Sequence, residues 1–220
     1  MGNYFCLGGS NIKKYSDISE SFISLDSLFE IYSELNLKIE NITNVTGLNC
    51  LPTCRYCCTT HSKNIEASLF EMLPLSIRLW QFGEAESWLK KATLSDGDSK
   101  CILLEEDISV KPEGGCKFYS YRPLLCRLFG FSGKKDKNGI IQFSSCKLVK
   151  KMNPQFEIAV NKYIDSGNTI PVYSEFSQKV SRLNPYLADK KYPINIAFKK
   201  ALEYTGYRWD IITRNIKKTV

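Results

Sequence analysis

The placement of the cysteines constrains this chain more than any other feature of its sequence. Nine cysteines occur in 220 residues, and eight of them fall into two blocks. The eight are Cys50, Cys54, Cys57 and Cys58 in the first block, and Cys101, Cys116, Cys126 and Cys146 in the second. Because 43% of the residues are hydrophobic, the chain can bury an ordinary core without covalent staples. The clustered thiols therefore need an explanation other than the rescue of a small fold.

The first block has the spacing of one stripe on a helix. At about 100° per residue, its four thiols would share a stripe about 100° wide. Pro52 would lie in the first turn, where its missing N–H is no loss. The pair Cys54 and Cys57 suits a single metal, whereas Cys58 would point elsewhere on the helix. The doubled cysteine therefore indicates two adjacent centres or one polynuclear centre.

Two groups of four cysteines supply eight ligands, which suits two tetrahedral zinc sites or two four-iron clusters. We predict that all eight bind metal and that Cys6, far from both blocks, does not. His61 is the one histidine, and it is either a ligand of a mixed site or a hydrogen-bonded surface residue. Arg122 and Arg127 either offset the negative charge of the site and donate hydrogen bonds to sulfur or are ordinary surface residues.

The two blocks also form one extended pattern. Cys-x3-Cys-x2-Cys-Cys is followed by Cys-x-x-Leu, by Cys-x-x-Tyr-x-x-Arg-Pro-x-x-Cys-Arg and by a final cysteine. The residues of this pattern after the first block are Cys101, Leu104, Cys116, Tyr119, Arg122, Pro123, Cys126, Arg127 and Cys146. The pattern resembles the YkgJ-type cysteine-cluster family over residues 48–147, with Gly130 where that family often has proline. The resemblance implies chelation of zinc or iron and defines no reaction.

The function predicted is metal binding at one or two cysteine-ligated centres with a redox or structural role. Relatives of the resembled family are linked to flagellin lysine N-methylation, so the alternative is an iron–sulfur-dependent enzyme that modifies protein by methyl transfer or redox chemistry. The spacing Cys-x3-Cys-x2-Cys is also that of radical S-adenosylmethionine enzymes, but 220 residues are few for their barrel. The sequence has no glycine-rich loop between a strand and a helix that would cradle a nucleoside cofactor.

Charge is distributed unevenly along the chain. Residues 1–110 carry 9 Lys+Arg against 15 Asp+Glu, and residues 111–220 carry 21 against 8. A basic second half can meet nucleic acid or an acidic protein partner. Its lysines are scattered in pairs such as Lys190 and Lys191, which favours solvated helix faces. The sequence shows no secretory signal and no apolar run that would cross a membrane, so a cytoplasmic protein without membrane contact is expected.

The sequence predicts a mainly α fold, with short helices around an irregular cysteine-rich segment and a helical region after it. We divide the chain into an N-terminal helical segment (1–44), a cysteine-cluster module (45–150) and a C-terminal helical region (151–220). Helix 27–35 is predicted to start with a capping box formed by Ser27 and Glu30, and the chain to loosen over 41–47.

The remaining elements are placed by periodicity and by turn residues. Residues 65–91 look helical, with interruptions at Pro74 and Gly83. A hairpin is predicted to turn at Asn138 and Gly139. Three C-terminal helices are predicted at about 154–167, 172–183 and 193–206.

Overall fold

The computed structural model describes residues 24–50, 54–107, 109, 115–143 and 145–218. Within that part, nine α-helices and four short strands confirm the mainly α prediction. The helices are α1 (Leu25–Thr46), α2 (Leu69–Gln81), α3 (Ala85–Thr93), α4 (Leu124–Leu128), α5 (Lys147–Met152), α6 (Gln155–Asp165), α7 (Tyr173–Leu183), α8 (Pro185–Ala188) and α9 (Ile194–Lys218). The strands are β1 (Glu66–Ser68), β2 (Gly133–Lys135), β3 (Ile141–Phe143) and β4 (Lys191–Pro193). None of these helices is both long and apolar enough to cross a membrane.

Helices α2 and α9 form the main helix pair of the core. The indole Nε1 of Trp80 donates to the Leu202 carbonyl at 3.0 Å, and the Ser76 hydroxyl donates to the Ala201 carbonyl at 2.9 Å. A Cβ on Gly206 would lie 2.5 Å from the Trp80 ring, so the close approach requires glycine. Helix α9 continues through Gly206, and the prediction that it ends there is wrong because this glycine serves packing.

Helix α1 is longer than the sequence pattern indicates. It begins before Ser27, so the predicted capping box of Ser27 and Glu30 is wrong. It also continues through most of 41–47, where the chain was predicted to loosen, since the helix buries Ile42 completely. It ends at Gly47, whose φ of 71° lies in the left-handed region that favours glycine.

Helix α2 runs through Pro74, so the interruption predicted there is wrong. Proline inside a helix costs about 3 kcal/mol through its missing hydrogen bond and its ring. The neighbouring Leu73 and Leu75 are at most 1% exposed, and burial of such side chains contributes about 1.5–3 kcal/mol each. The core therefore outweighs the local cost. The second interruption is confirmed, because Gly83 separates α2 from α3 with a φ of 71°.

The predicted hairpin is confirmed. Strands β2 and β3 pair antiparallel, with Gly133 opposite Phe143. In the turn, the Asp136 carboxylate accepts from the N–H groups of Asn138 at 2.8 Å and Ile140 at 2.9 Å. Gly139 has a φ of 81°, which is why the turn needs a glycine at this position.

The C-terminal helices pack against the part of the chain that carries the cysteines. Helix α6 ends shortly before Gly167, which has a φ of 85°, and α7 ends before Pro185, so both predicted helices are confirmed. Strand β4 pairs antiparallel with β1, with Glu66 opposite Pro193. This pairing joins the residues after the first cysteine block to the start of α9.

Candidate metal centre

All eight cysteines of the two blocks line one cavity, whose volume is about 720 Å³. They are Cys50, Cys54, Cys57, Cys58, Cys101, Cys116, Cys126 and Cys146. Their side chains are reduced thiols. The fold thus brings together sulfurs that are up to 96 positions apart in the chain. Cys6 lies outside the described residues.

The first cysteine block forms a turn and not the predicted helix. The N–H groups of Cys58 and Thr59 both donate to the Arg55 carbonyl, at 2.8 and 3.0 Å, and the turn ends there. Residues 54–60 have no apolar stripe that a helix could bury, and His61 then pairs with Lys100 in an isolated β-bridge. A short segment without a buried face does not sustain a helix, which explains why the helical stripe is wrong over Cys54–Cys58.

The turn changes the relation between Cys57 and Cys58. Their Sγ atoms lie 4.0 Å apart, although on a helix the two side chains would diverge by about 100°. Two sulfurs on a tetrahedral zinc with arms of about 2.3 Å would lie roughly 3.8 Å apart. The adjacent thiols are therefore close enough to approach one ion or two neighbouring metal atoms.

Backbone hydrogen bonds hold Cys101 and Cys116 together. The N–H of Leu104 donates to the Cys101 carbonyl at 3.0 Å, which closes a turn. Leu104 then pairs with Cys116 in a β-bridge, and the N–H of Lys117 donates to the Leu103 carbonyl at 2.7 Å. Both cysteines are buried in this arrangement.

Glu71 orients the helix that carries Cys126, and sequence reasoning missed it. Its Oε1 accepts from the N–H of Leu124, the first residue of α4, at 2.9 Å. Its Oε2 accepts from the Ser68 hydroxyl at 2.7 Å and from Lys191 Nζ at 2.7 Å. Ser68 and Glu71 form a capping box at the start of α2. The spacing Ser-x-x-Glu is a sequence signal from which this capping role of Glu71 could have been predicted.

Cys146 lies against a glycine with left-handed backbone. A Cβ on Gly130 would lie 3.3 Å from the Cys146 Cβ, and Gly130 has a φ of 88°. Proline, which the resembled family often has here, cannot adopt that φ. Next to Cys146, the buried Ser145 hydroxyl has no hydrogen-bond partner among the described residues, and Ser145 lines the cavity. The cavity wall therefore contains, beside the thiols, a hydroxyl that can still donate a hydrogen bond.

The two arginines of the second block have different surroundings. Arg122 lines the cavity, stacks over the Tyr119 ring at 3.4 Å and donates from Nη1 to the Cys126 carbonyl at 3.3 Å. Arg127 lies over the ring of the buried Tyr32 at 4.3 Å and donates from Nε to the Arg122 carbonyl at 2.7 Å. Arg122 thus brings positive charge to the thiols, while Arg127 holds the backbone around α4.

His61 belongs to a surface loop contact. Its side chain is 60% exposed, and its Nδ1 lies 2.7 Å from the Asp98 carbonyl oxygen. The lining of the 720 Å³ cavity includes Thr59 and Thr60 but not His61. This placement favours the interpretation of His61 as a hydrogen-bonded surface residue.

Burial raises the pKa of three of the thiols. It raises the pKa of Cys101 to about 12, and together with the neighbouring Cys54 it raises the pKa of Cys50 to about 12. Burial also raises the pKa of Cys126 well above its usual range. These groups are neutral thiols near pH 7, and a metal must displace their protons to bind.

The pKa of Cys57 is shifted in the opposite direction. A hydrogen bond from Cys58, aided by the Arg122 charge, lowers the pKa of Cys57 to about 7. The same hydrogen bond is the main cause that raises the pKa of Cys58 far above its usual range. As placed, no three Cys, His, Asp or Glu side chains of the described ranges are close enough to hold an ion. Neutral thiols are poor metal ligands. Metal binding would therefore require that the thiols lose their protons and that their sulfur atoms move closer together.

The basic second half has partners for many of its lysines. Within the described residues, the ion pairs include Lys135 with Glu175 at 2.5 Å and Lys179 with Glu34 at 2.6 Å. Paired lysines have less charge to offer to phosphates, so these contacts favour solvated and paired helix faces over a nucleic-acid interface.

The comparisons with known proteins concern the cysteine segment. Residues 49–150 match the family model CxxCxxCC, described as a "Putative zinc- or iron-chelating domain", and this match confirms the resemblance seen in the cysteine pattern. No curated protein and no solved structure matches the chain significantly. Residues 49–150, slightly less than half of the chain, are thus similar to the CxxCxxCC cysteine-cluster family.

Proposed function

We propose that this protein binds zinc or iron–sulfur clusters at one or two centres ligated by the eight cysteines of the cavity. The ligands are Cys50, Cys54, Cys57, Cys58, Cys101, Cys116, Cys126 and Cys146. The observation that carries the proposal is the convergence of all eight sulfurs on one cavity from positions 50 to 146. Soft thiolate ligands select zinc and iron–sulfur clusters over hard cations such as magnesium and calcium.

The surroundings of the thiols fit such a centre. Arg122 supplies positive charge against the thiolates, and the Ser145 hydroxyl is available to donate a hydrogen bond to sulfur. Hydrogen bonds and charges of this kind orient metal ligands and tune the metal. When bound, zinc would supply a structural crosslink, and an iron–sulfur cluster would supply one-electron transfer. The role is therefore structural or redox.

The size of the cavity favours a second candidate, an iron–sulfur-dependent enzyme that modifies protein. A volume of about 720 Å³ is within the range of roughly 300–1,000 Å³ that small-molecule sites occupy. Aromatic rings line it beside the cysteines, namely Tyr56, Phe118, Tyr119, Tyr121 and Phe129. Such a wall would hold an apolar or cationic side chain next to the metal. This candidate requires an open coordination position.

The test is metal analysis after anaerobic purification from medium that contains both iron and zinc. We expect at least one equivalent of metal per chain and, for iron–sulfur clusters, a brown protein with charge-transfer absorbance. The variant Cys6→Ser controls for the loss of one thiol and should keep the full metal content. The proposal fails if the protein holds less than one equivalent of either metal and its fold is unchanged by a chelator.

The enzyme candidate is tested separately by titrating S-adenosylmethionine into the metal-loaded protein and recording binding heat and the electron paramagnetic resonance spectrum. A shift of the iron signal supports an open coordination position. A zinc-only protein that gives no heat rules the candidate out.

A further inference from the structure

A second, smaller cavity divides the cysteines into two groups. It has a volume of about 270 Å³ and shares part of its wall with the larger cavity. Its cysteines are Cys50, Cys54, Cys57, Cys126 and Cys146. The three others, Cys58, Cys101 and Cys116, line the larger cavity and not this one. For two centres of four ligands each, one of the five cysteines of the smaller cavity must join these three.

Cys57 belongs with the cysteines of the smaller cavity. It lines that cavity together with Cys50, Cys54 and Cys146, and the thiol of Cys50 interacts electrostatically with the other three residues. Cys57 also interacts with Cys101 and Cys126, because it lies where the two groups meet. Cys50 is exposed, and the other three are partly exposed. These four thiols form a group at the solvent-facing end, which we call the outer set.

Cys126 belongs with the deeper cysteines. Its thiol interacts electrostatically with Cys101 and Cys116, and the thiol of Cys58 interacts with the same two residues. Cys101 is 7% exposed and Cys116 is 9% exposed. The four thiols Cys58, Cys101, Cys116 and Cys126 form the inner set.

The two sets meet at the doubled cysteine. Cys57 and Cys58 are consecutive, and their sulfurs lie 4.0 Å apart. Cys57 can face the outer set while Cys58 faces the inner set. Each set then has four cysteines. Four thiolates complete a structural zinc site or a four-iron cluster.

We propose that the eight cysteines form two adjacent centres, an inner one from Cys58, Cys101, Cys116 and Cys126 and an outer one from Cys50, Cys54, Cys57 and Cys146. This inference rests on the proposed function and adds the division of the ligands. The inner centre is the slowly exchanging one, because two of its ligands, Cys101 and Cys116, are buried and tied by backbone pairing, whereas the outer set has no buried ligand. The outer centre exchanges its metal with solvent first.

Gly130 provides a matched probe of the outer centre. Alanine there would face strain at a φ of 88° and a Cβ contact of 3.3 Å with Cys146. The control is Gly139→Ala, where φ is 81° and nothing lies within 4 Å of an added Cβ. The two variants share the backbone strain, but only the first pushes on a cysteine of the outer set.

The experiment measures total metal and the rate of metal release to a chromogenic chelator for the full chain. Wild type should hold two centres and release them in a fast and a slow phase. Cys50→Ser with Cys146→Ser should retain about half of the metal and lose the fast phase. Gly130→Ala should accelerate the fast phase by about tenfold, in the range seen when support of a ligand is lost, and leave the slow phase unchanged. Gly139→Ala should change neither phase.

Three results would overturn the division. Two concern the double variant Cys50→Ser, Cys146→Ser, which would either lose all of its metal or keep all of it. The third is release of metal from wild type in a single phase whose whole rate changes in Gly130→Ala. Each of them leaves the proposed function standing, because wild type still binds metal. Wild type with less than one equivalent contradicts the proposed function itself and is thus distinguishable.

Discussion

The helical scaffold and the cysteine segment are stabilised in different ways. In the scaffold, Phe70 of α2 and Phe198 of α9 are at most 1% exposed, and indole and hydroxyl groups tie the two helices together. The described parts of the segments that carry the cysteines, 54–61 and 100–146, consist mostly of turns, isolated β-bridges, the β2–β3 hairpin and the five-residue helix α4. Apolar burial thus stabilises the scaffold and also anchors Leu103 and Leu124 beside the cysteines. Under the proposed function, the thiols themselves form bonds with a metal that replaces their protons.

From this difference we expect the stability of the core and the stability of a metal centre to be partly separable in this chain. Regular structure that buries apolar surface holds its shape without a ligand. Turns that present thiols to a cavity would gain an additional anchor from metal bonds that close the loops. Glu71 is the link, because one carboxylate caps α2 and binds the first N–H of α4.

Metal removal should produce the largest contrast between the two regions. A structural zinc site contributes about 10 kcal/mol, so the protein treated with chelator should lose amide protection around Cys58 and Lys117. Amides of α2 and α9 should keep most of their protection. Hydrogen exchange followed by mass spectrometry measures both. Equal loss of protection across the chain would show that the scaffold depends on metal as well.

Breaking the buried ion pair should weaken the link between the regions. Glu71 is 2% exposed, and its partner Lys191 lies 2.7 Å away with 19% exposure. Lys191→Met leaves the carboxylate without its counter-charge, and we expect unfolding in urea to become easier by about 3 kcal/mol. The control is Lys179→Met, whose partner Glu34 is 42% exposed, with an expected cost below about 1 kcal/mol. Equal costs for the two variants would contradict this assignment.

Gly206→Ala tests the scaffold alone. Helix propensity favours alanine by about 1 kcal/mol, but the added Cβ would meet the Trp80 ring at 2.5 Å. Overpacking should dominate, with a net destabilisation of about 1–2 kcal/mol and unchanged metal content. Thermal unfolding measures the effect, with the neighbouring exposed Tyr207→Ala as control. A stabilised Gly206→Ala protein would show that the two helices can separate without cost.

The smallest effect concerns the thiols of the metal-free protein. A pKa lowered to about 7 means that Cys57 is charged above pH 7 and loses its reactivity as the pH falls through that value. Cys50 is more exposed, yet with a pKa of about 12 it stays neutral. We expect iodoacetamide at pH 7.5 to label Cys57 at least about tenfold faster than Cys50. Arg122→Gln should slow the labelling of Cys57 by about threefold, as peptide mass spectrometry can measure. Faster labelling of Cys50 would show that exposure outweighs charge.

The helices with a clear apolar period and the turns built on glycine were predictable from the sequence. Helix α7 ends before Pro185, and the β2–β3 turn has Gly139 where a positive φ is needed, so local chemistry was sufficient there. The capping box assigned to Ser27 was wrong, because the pattern recurs by chance, whereas Ser68 forms one. Gly206 ended the predicted helix too early, since its partner Trp80 is distant in sequence.

Within the candidate site, the residue types were predictable and their arrangement was not. The two blocks of cysteines and the Cys-Arg pattern led directly to the resemblance that the match of residues 49–150 to the CxxCxxCC family model confirms. The helical stripe failed over Cys54–Cys58, because helical spacing alone cannot show that no partner surface exists to bury that stripe. Glu71 could not be recognised as a support of α4, since the 53 positions between it and Leu124 carry no local signal.

The sequence alone identifies the candidate metal ligands, because a cysteine carries its thiol in any fold and its position along the chain does not change. Which thiols lie together depends on long-range contacts. The β-bridge of Leu104 with Cys116, the Glu71 contact to α4 and the close approach of Gly130 to Cys146 place the two blocks around one cavity. Each of these contacts joins residues at least 12 positions apart, so the tertiary structure, and not local spacing, decides which cysteines share a site.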